Sequence, residues 1–97
     1  MNDEERAAIE RLIEVAKGDS GQSRRVANFL LAWWNAAECG GFDFTDAWGC
    51  DPQIQRDMAV VFAAIVCTAA YPDDRKPGYG TEFSQLAHAW RDVGAAA

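Results

Sequence analysis

The sequence predicts an all-α fold, a compact single-domain bundle of four main helices. Three observations carry that expectation. Met58–Tyr71 reads MAVVFAAIVCTAAY, fourteen residues of which only Thr68 is not apolar. Its length and five alanines favour helix over strand, since strands run about 4–8 residues. It is also too short to cross a bilayer, which needs about 20 apolar residues. The second observation is that two other stretches repeat apolar residues at i, i+3, i+4 and i+7, the signature of one buried helical stripe. The third is that helix punctuation (acid, serine, proline and glycine) sits at the right places between the stretches.

Helix one is expected over about 3–17. Ile9, Leu12, Ile13 and Ala16 form its stripe, Asp3, Glu4 and Glu5 crowd its start, and Lys17 and Gly18 close it, in accord with the helix dipole and a glycine stop. The charges around the stripe read as a solvated face. Helix two is expected over about 20–38, capped by Asp19 with Gln22 three residues on, close to a capping box. Val26, Phe29, Leu30, Trp33 and Ala37 form its stripe, with Trp34 on the flank and Arg24, Asn28, Leu31 and Asn35 on the far side. One tryptophan of the Trp33-Trp34 pair should then be buried and the other more open.

Cys39-Gly40-Gly41 breaks helix two. Phe42 to Gly49 reads as an ordered loop with a short helical turn near 45–48, its aromatics plugging the side of the core. Helix three, about 52–71, starts at Asp51-Pro52, an acid cap followed by proline at the first helical position. Being apolar all round, it reads as the central, buried helix. Ala59, Ala63 and Ala70 give it a face for close approach of another helix. Pro72 is its expected stop. The linker Pro72–Gly80 is rich in turn residues. Helix four, about 81–93, has the stripe Phe83, Leu86, Ala87 and Trp90.

Length and composition narrow the function. A chain of 97 residues is one domain, 1–97, with an ordinary 49% hydrophobic and 25% charged content. The net charge of −6 argues against a general duplex-DNA binder and suits a basic protein partner. Three cysteines cannot all pair internally, and the polar, acidic opening MNDEERAAIE lacks a signal-peptide pattern. Reduced thiols in a bacterial cytoplasm are the expectation, with Cys67 a small buried hydrophobe. No membrane association is expected.

Catalytic and metal chemistry find little support. A zinc site needs closely spaced ligands, whereas Cys39, Cys50 and the lone His88 are scattered. Asp43, Asp46 and Asp51 lack the order of a calcium loop. Cys39 or Cys50 with His88 is the one nucleophile–base pairing available, and nothing in the sequence joins them. Gly40-Gly41 follows a helix and not a strand, so it is no phosphate loop. No enzyme activity, metal or cofactor is expected.

Surfaces remain. Arg24 and Arg25 sit at the helix end that disfavours cations. Arg75, Lys76 and Tyr79 form a second basic–aromatic spot in the linker. With Trp34 these are the parts of a single-stranded DNA site or a protein hot spot. The plainer reading is solvated arginines and a tyrosine packed at the loop base. Asp43, Asp46, Asp73 and Asp74 offer an alternative, acidic surface.

The run GDSGQSRRVANFLLAWWNAAECGGFDFTDAW, followed by YPDDRKPGYG and AWRD, resembles a family of small proteins of unknown function. Its members are encoded on integrative elements, plasmids and prophages, chiefly of proteobacteria. The likeness covers roughly residues 8–92, and no catalytic motif comes with it. Small acidic helical proteins of such elements include anti-CRISPR inhibitors, to which size and charge here are similar. The resemblance therefore implies a binding protein, an inhibitor of a type I CRISPR-Cas surveillance complex. Its partner would be a Cas effector subunit, met by the acids, or single-stranded DNA of the R-loop, met by the arginine–aromatic set. The alternative is a non-catalytic interaction module in maintenance or transfer of a mobile element. Either is expected as a monomer or weak homodimer.

Overall fold

A computed structural model describes residues 1–73 and 78–91. Within them the chain is all-α: α1 (Asp3–Ala16), α2 (Gly21–Cys39), a 3₁₀ turn (Phe44–Gly49), α3 (Pro52–Thr68) and α4 (Gly80–Arg91). α1 packs against α2 and α3, and α2 packs against α1 and α4. The layers therefore run α3–α1–α2–α4, with α1 and α2 as the inner pair.

Helix starts are set by local side chains. Asn2 caps α1 in a reciprocal capping box, its Oδ1 accepting from the Glu5 N–H and its own N–H donating to Glu5 Oε1, both at 2.8 Å. α2 is capped by Ser20 and not by Asp19. Ser20 Oγ accepts from the Ser23 N–H at 3.0 Å, the reach a cap needs to its third helical residue, whereas Asp19 lies one residue too early. Asp51 does precede Pro52 as the cap position of α3, but its carboxylate makes no cap bond. It turns to Gln22, whose Oε1 accepts from the Asp51 N–H at 2.6 Å and whose Nε2 donates back to the carboxylate at 3.3 Å.

The expected stripes of α1 and α4 are the ones buried. Ile9, Leu12, Ile13 and Ala16 form the core with Phe83, Leu86 and Ala87, and Trp90 is half-buried at the edge. Leu31 departs from expectation. It is fully buried, because α2 has a neighbour on two sides and one stripe is not enough to meet both. Trp33 and Trp34 are both half-buried, each with its ring against Phe83. α2 also kinks at Asn35 (φ −160°, ψ 76°), whose side chain accepts from the Glu38 N–H and restarts the last turn.

The largest correction concerns α3. It is an outer helix and not the central one. Among the helices it packs chiefly on α1, and the face carrying Asp57, Met58, Val61 and Ala64 is its buried one. Ala59, Phe62, Ala63, Val66 and Cys67 face outward, and the alanine face expected to receive a helix receives none among the described residues. Cys67 is thus exposed, whereas Cys39 and Cys50 are buried. The helix ends at Thr68, before Pro72, because Ala69 turns into the left-handed region (φ 52°, ψ 42°). α4 begins at Gly80, and the expected end at Val93 lies outside the described residues.

The charges around the α1 stripe are not all solvated. Arg11 reaches across to Asp57, with Nε to Oδ2 at 3.0 Å and Nη2 to Oδ1 at 2.9 Å. Gln53 Nε2 gives Asp57 a third donor at 3.2 Å. Asp57 is only 4% exposed, and this fork-shaped pairing keeps its carboxylate compensated.

The edge position of α3 has a measurable consequence. Leu12→Ala, in the α1 core, should cost about 2–5 kcal/mol in urea unfolding. Val66→Ala, within the most apolar stretch of the sequence, should stay within about 0.5 kcal/mol of wild type, as exposed substitutions do. A core-sized loss at Val66 would place α3 inside.

Candidate functional site

The outward side of α3 adjoins the 3₁₀ turn, and together they build an open aromatic face. The order starts at Phe29, buried in α2. Phe42 stands edge-on to it at 5.2 Å between ring centroids, Phe44 meets Phe42 at 6.2 Å, and Phe62 of α3 meets Phe44 at 6.0 Å. Edge-to-face rings at 4.5–7 Å are a favoured packing, so the ladder is ordered although its far end is open. Phe42 plugs the core as expected. Phe44 and Trp48 do not: their rings are 69% and 80% exposed.

Polar bonds hold the turn in place. Asp43 Oδ1 accepts from the Thr45 N–H at 2.9 Å and from its hydroxyl at 2.8 Å. These bonds hold the Asp43 carboxyl below the usual carboxylate range. Gln55 Nε2 donates to the Ala47 carbonyl at 3.0 Å and ties the turn to α3. Behind it Cys50 is buried, and burial pushes its thiol up.

Two adjoining hollows of about 330 and 300 Å³ run along this face, floored by Phe29, Phe42, Phe44, Met58, Ala59 and Phe62. Their walls are almost wholly apolar. A larger hollow of about 380 Å³ between the end of α1 and α4 is rimmed by Lys17, Asp19 and Glu82. The Trp90 N–H at its floor already donates to the Ala16 carbonyl at 2.9 Å. The aromatic face is the better candidate, since its apolar groups have no internal partner to satisfy them.

A family profile matches residues 6–91, spanning the described fold from α1 to the end of α4. The chain belongs to DUF7673, a family of unknown function. No curated protein and no solved structure matches this DUF7673 chain.

The residues singled out from the sequence stand in several places on the DUF7673 fold. Arg24 is exposed on the first turn of α2. Arg25 is half-buried, its guanidinium so close to Gly49 that a Cβ there would lie 3.0 Å from Cζ. Trp34 packs on Phe83 of α4. Tyr79 follows the plainer reading, a ring packed at the loop base, and is a 6% exposed anchor on α1. Its hydroxyl donates to Glu10 Oε2 at 2.9 Å, and the Arg6 guanidinium lies 5.3 Å from its ring centroid. Arg75 and Lys76 lie outside the described residues. Of the acids, Asp43 and Asp46 flank the aromatic turn, Asp73 is exposed after α3, and Asp74 lies outside the described residues.

Other chemistry-bearing groups are dispersed. His88 is exposed on α4, and Cys39 is buried with its thiol pushed up by burial. Among the described residues no group of three or more His, Cys, Asp or Glu is placed to hold a metal ion. None of the described helices is long and apolar enough to cross a membrane.

The face itself (Phe44, Trp48, Phe62 and Val66) was absent from the sequence-based site residues. Its signal was present in the chain. α3 carries apolar residues around its whole circumference, more than one packing neighbour can cover.

Tyr79 gives a pH test of the linker's docking. Burial foremost, and then the hydrogen bond to Glu10, push its phenol from 10.0 up to about 12. Because the folded value is the higher, its contribution to stability is complete below pH 10.0 and is lost as pH rises to about 12. Urea midpoints of wild type should fall across that window, and those of Tyr79→Phe should fall less. Equal slopes would mean the hydroxyl is solvated.

Proposed function

We propose that this protein is a non-catalytic binding protein that docks the Phe44–Phe62–Val66 face, with exposed Trp48 on the adjoining turn, onto another protein. The single observation behind this reading is an ordered aromatic ladder whose outer half faces solvent. Aromatic anchors set in an apolar surface are the parts from which binding hot spots are made. Asp43 and Asp46 on its rim, within a chain of net charge −6, favour a target with basic residues around an apolar patch. Taken with the resemblance to proteins of mobile elements, the target we propose is a Cas subunit of a type I surveillance complex. In this reading the protein is an anti-CRISPR inhibitor acting in the bacterial cytoplasm.

Docking on a protein is favoured over gripping R-loop DNA. Single-strand binders stack bases on open rings beside cations. Here the outer rings of the ladder, Phe44 and Phe62, lie on an apolar hollow with no cation among its described lining residues, and Asp43 precedes Phe44. The Tyr79 ring is enclosed by α1, and Arg25, against Gly49, is a cation beside the turn and not on that hollow. A module in maintenance or transfer of a mobile element is the second reading, and it uses the same face with a different target.

The test is phage plating on a host with active type I interference. Expression of the wild-type chain should restore plaques. Phe44→Glu, at an exposed position, should abolish the rescue and weaken capture of nuclease-treated Cas complex by about 30-fold or more, as loss of a hot-spot residue does. Arg24→Glu, at an exposed position on α2, should leave both intact. Plaques unchanged by the wild-type chain would sink the inhibitor reading and leave the mobile-element module. Loss of rescue in the Arg24 variant would return the site to single-stranded DNA.

A further inference from the structure

We infer that the partner presents an amphipathic α-helix, whose apolar residues at i, i+3 or i+4, and i+7 enter three hollows in a row between α2 and α3, with a basic residue beside the first. The inference rests on the reading of this side of the molecule as a docking surface, and it names what that surface takes.

The hollows follow the period of a helix. The first, of about 330 Å³, lies on α3 between Ala59 and Phe62. The second, of about 300 Å³, lies between Phe62 and Ile65. A third, of about 260 Å³, lies between Ile65 and Ala69. Each step along α3 is three or four residues, or about 5 Å at a helical rise of about 1.5 Å per residue. Side chains one turn apart on a facing helix are offset by the same distance, so a single helix can fill all three. The opposite wall keeps the same period. Phe29 of α2 lines the first two hollows, and Ala32, Trp33 and Ala36 follow it at i+3, i+4 and i+7 along the second.

The cleft is already formed in the free chain. α2 and α3 each pack on α1, and the hollows lie between them. The ladder from Phe29 to Phe62 crosses from one wall to the other, and its four rings line both the first and the second hollow. At the far end the Trp33 N–H donates to the Ala70 carbonyl at 2.9 Å. Walls joined in this way lower the cost of ordering the site on binding.

The lining sets the chemistry of what enters. Among the described residues no charged one lines any of the three hollows, so the entering side chains are apolar. Helical walls offer no strand edge for an extended peptide to pair with. Charge comes from the turn. Phe44 and Ala47 line the first hollow, and Asp43 and Asp46 stand next to them in the chain. Arg25 lies against Gly49, at the other end of the turn, and lines none of the hollows. The two acids complement a lysine or arginine flanking the first apolar residue of the incoming helix.

The test is a display selection of random peptides of about 16 residues, some four helical turns, against the immobilised whole chain. Enriched peptides should carry large apolar residues at i, i+3 or i+4, and i+7, with lysine or arginine beside the first. Proline at the central residue of such a peptide should weaken binding by about 10-fold or more. Ala36→Glu and Ala59→Glu, one on each wall and both at exposed positions where folding is not at stake, should each weaken it by about 10-fold or more with an unchanged far-ultraviolet circular dichroism spectrum. Arg24→Glu should bind like wild type. No enrichment, enriched peptides without helical spacing or without a basic flank, or binders indifferent to both wall variants would each overturn the inference. A chain that restores plaques yet selects no helical peptide would leave the docking reading standing without the helix. A chain that selects helical peptides yet restores no plaques would leave the helix site standing without the inhibitor.

Discussion

The pairing of Arg11 with Asp57 decides which way α3 faces, and the outer surface follows from it. Asp57 is a carboxylate held 4% exposed, and Arg11 and Gln53 supply its donors. A buried ion pair is weak evidence for net stability but penalises arrangements that separate it. On a helix with 100° per residue, Phe62 lies about 140° from Asp57. Rolling α3 to bury Phe62 and Val66 would carry Asp57 away from α1 and strand its charge. The same roll would expose Met58, Val61 and Ala64, which the present face buries. The pair and these apolar residues together hold that face inward, and the opposite side is the candidate docking face.

The other helices are locked by long side chains that close one another's ends. The last carbonyls of a helix lack partners within it. Here the Trp90 N–H donates to the Ala16 carbonyl at the end of α1, and Arg91 Nε donates to the Cys39 carbonyl at the end of α2. Arg91 also reaches Asn28 within α2. Beyond α3, the Trp33 N–H donates to the Ala70 carbonyl. Each bond joins elements far apart in sequence, so a frayed end anywhere would loosen two helices at once. The scaffold behind the aromatic face is thus tied at several helix ends at once.

The stripes of α1 and α4 were legible in the sequence because each helix buries one contiguous face, and a 3.6-residue period reports that directly. α2 and α3 were misjudged for the same reason, in opposite directions. Periodicity counts apolar faces, not neighbours. Leu31 reads as a solvent-side residue although α2 has a helix on two sides, and Phe62 and Val66 read as core although α3 has one principal helix partner. Ser20 replacing Asp19 as a cap turns on a single residue of register, beyond what composition resolves. For Tyr79 the sequence leaves an open ring and a ring packed at the loop base side by side; the second holds, with its hydroxyl on Glu10 of α1 and its N–H on the Pro72 carbonyl. Of the proposed site, Asp43 and Asp46 were legible as loop acids. The rings they flank were visible as aromatics, but their exposure was not.

The acidity of the chain and its aromatic face are best understood together. An apolar patch near the upper size for a monomer invites disordered aggregation. A net charge of −6 counters this by keeping molecules apart. The thiols of Cys39 and Cys50 lie inside the fold and are both pushed up by burial, while Cys67 is exposed. Apolar surface and charge are thus set apart on this fold: the apolar run of α3 lies open, and the charges lie on the elements around it.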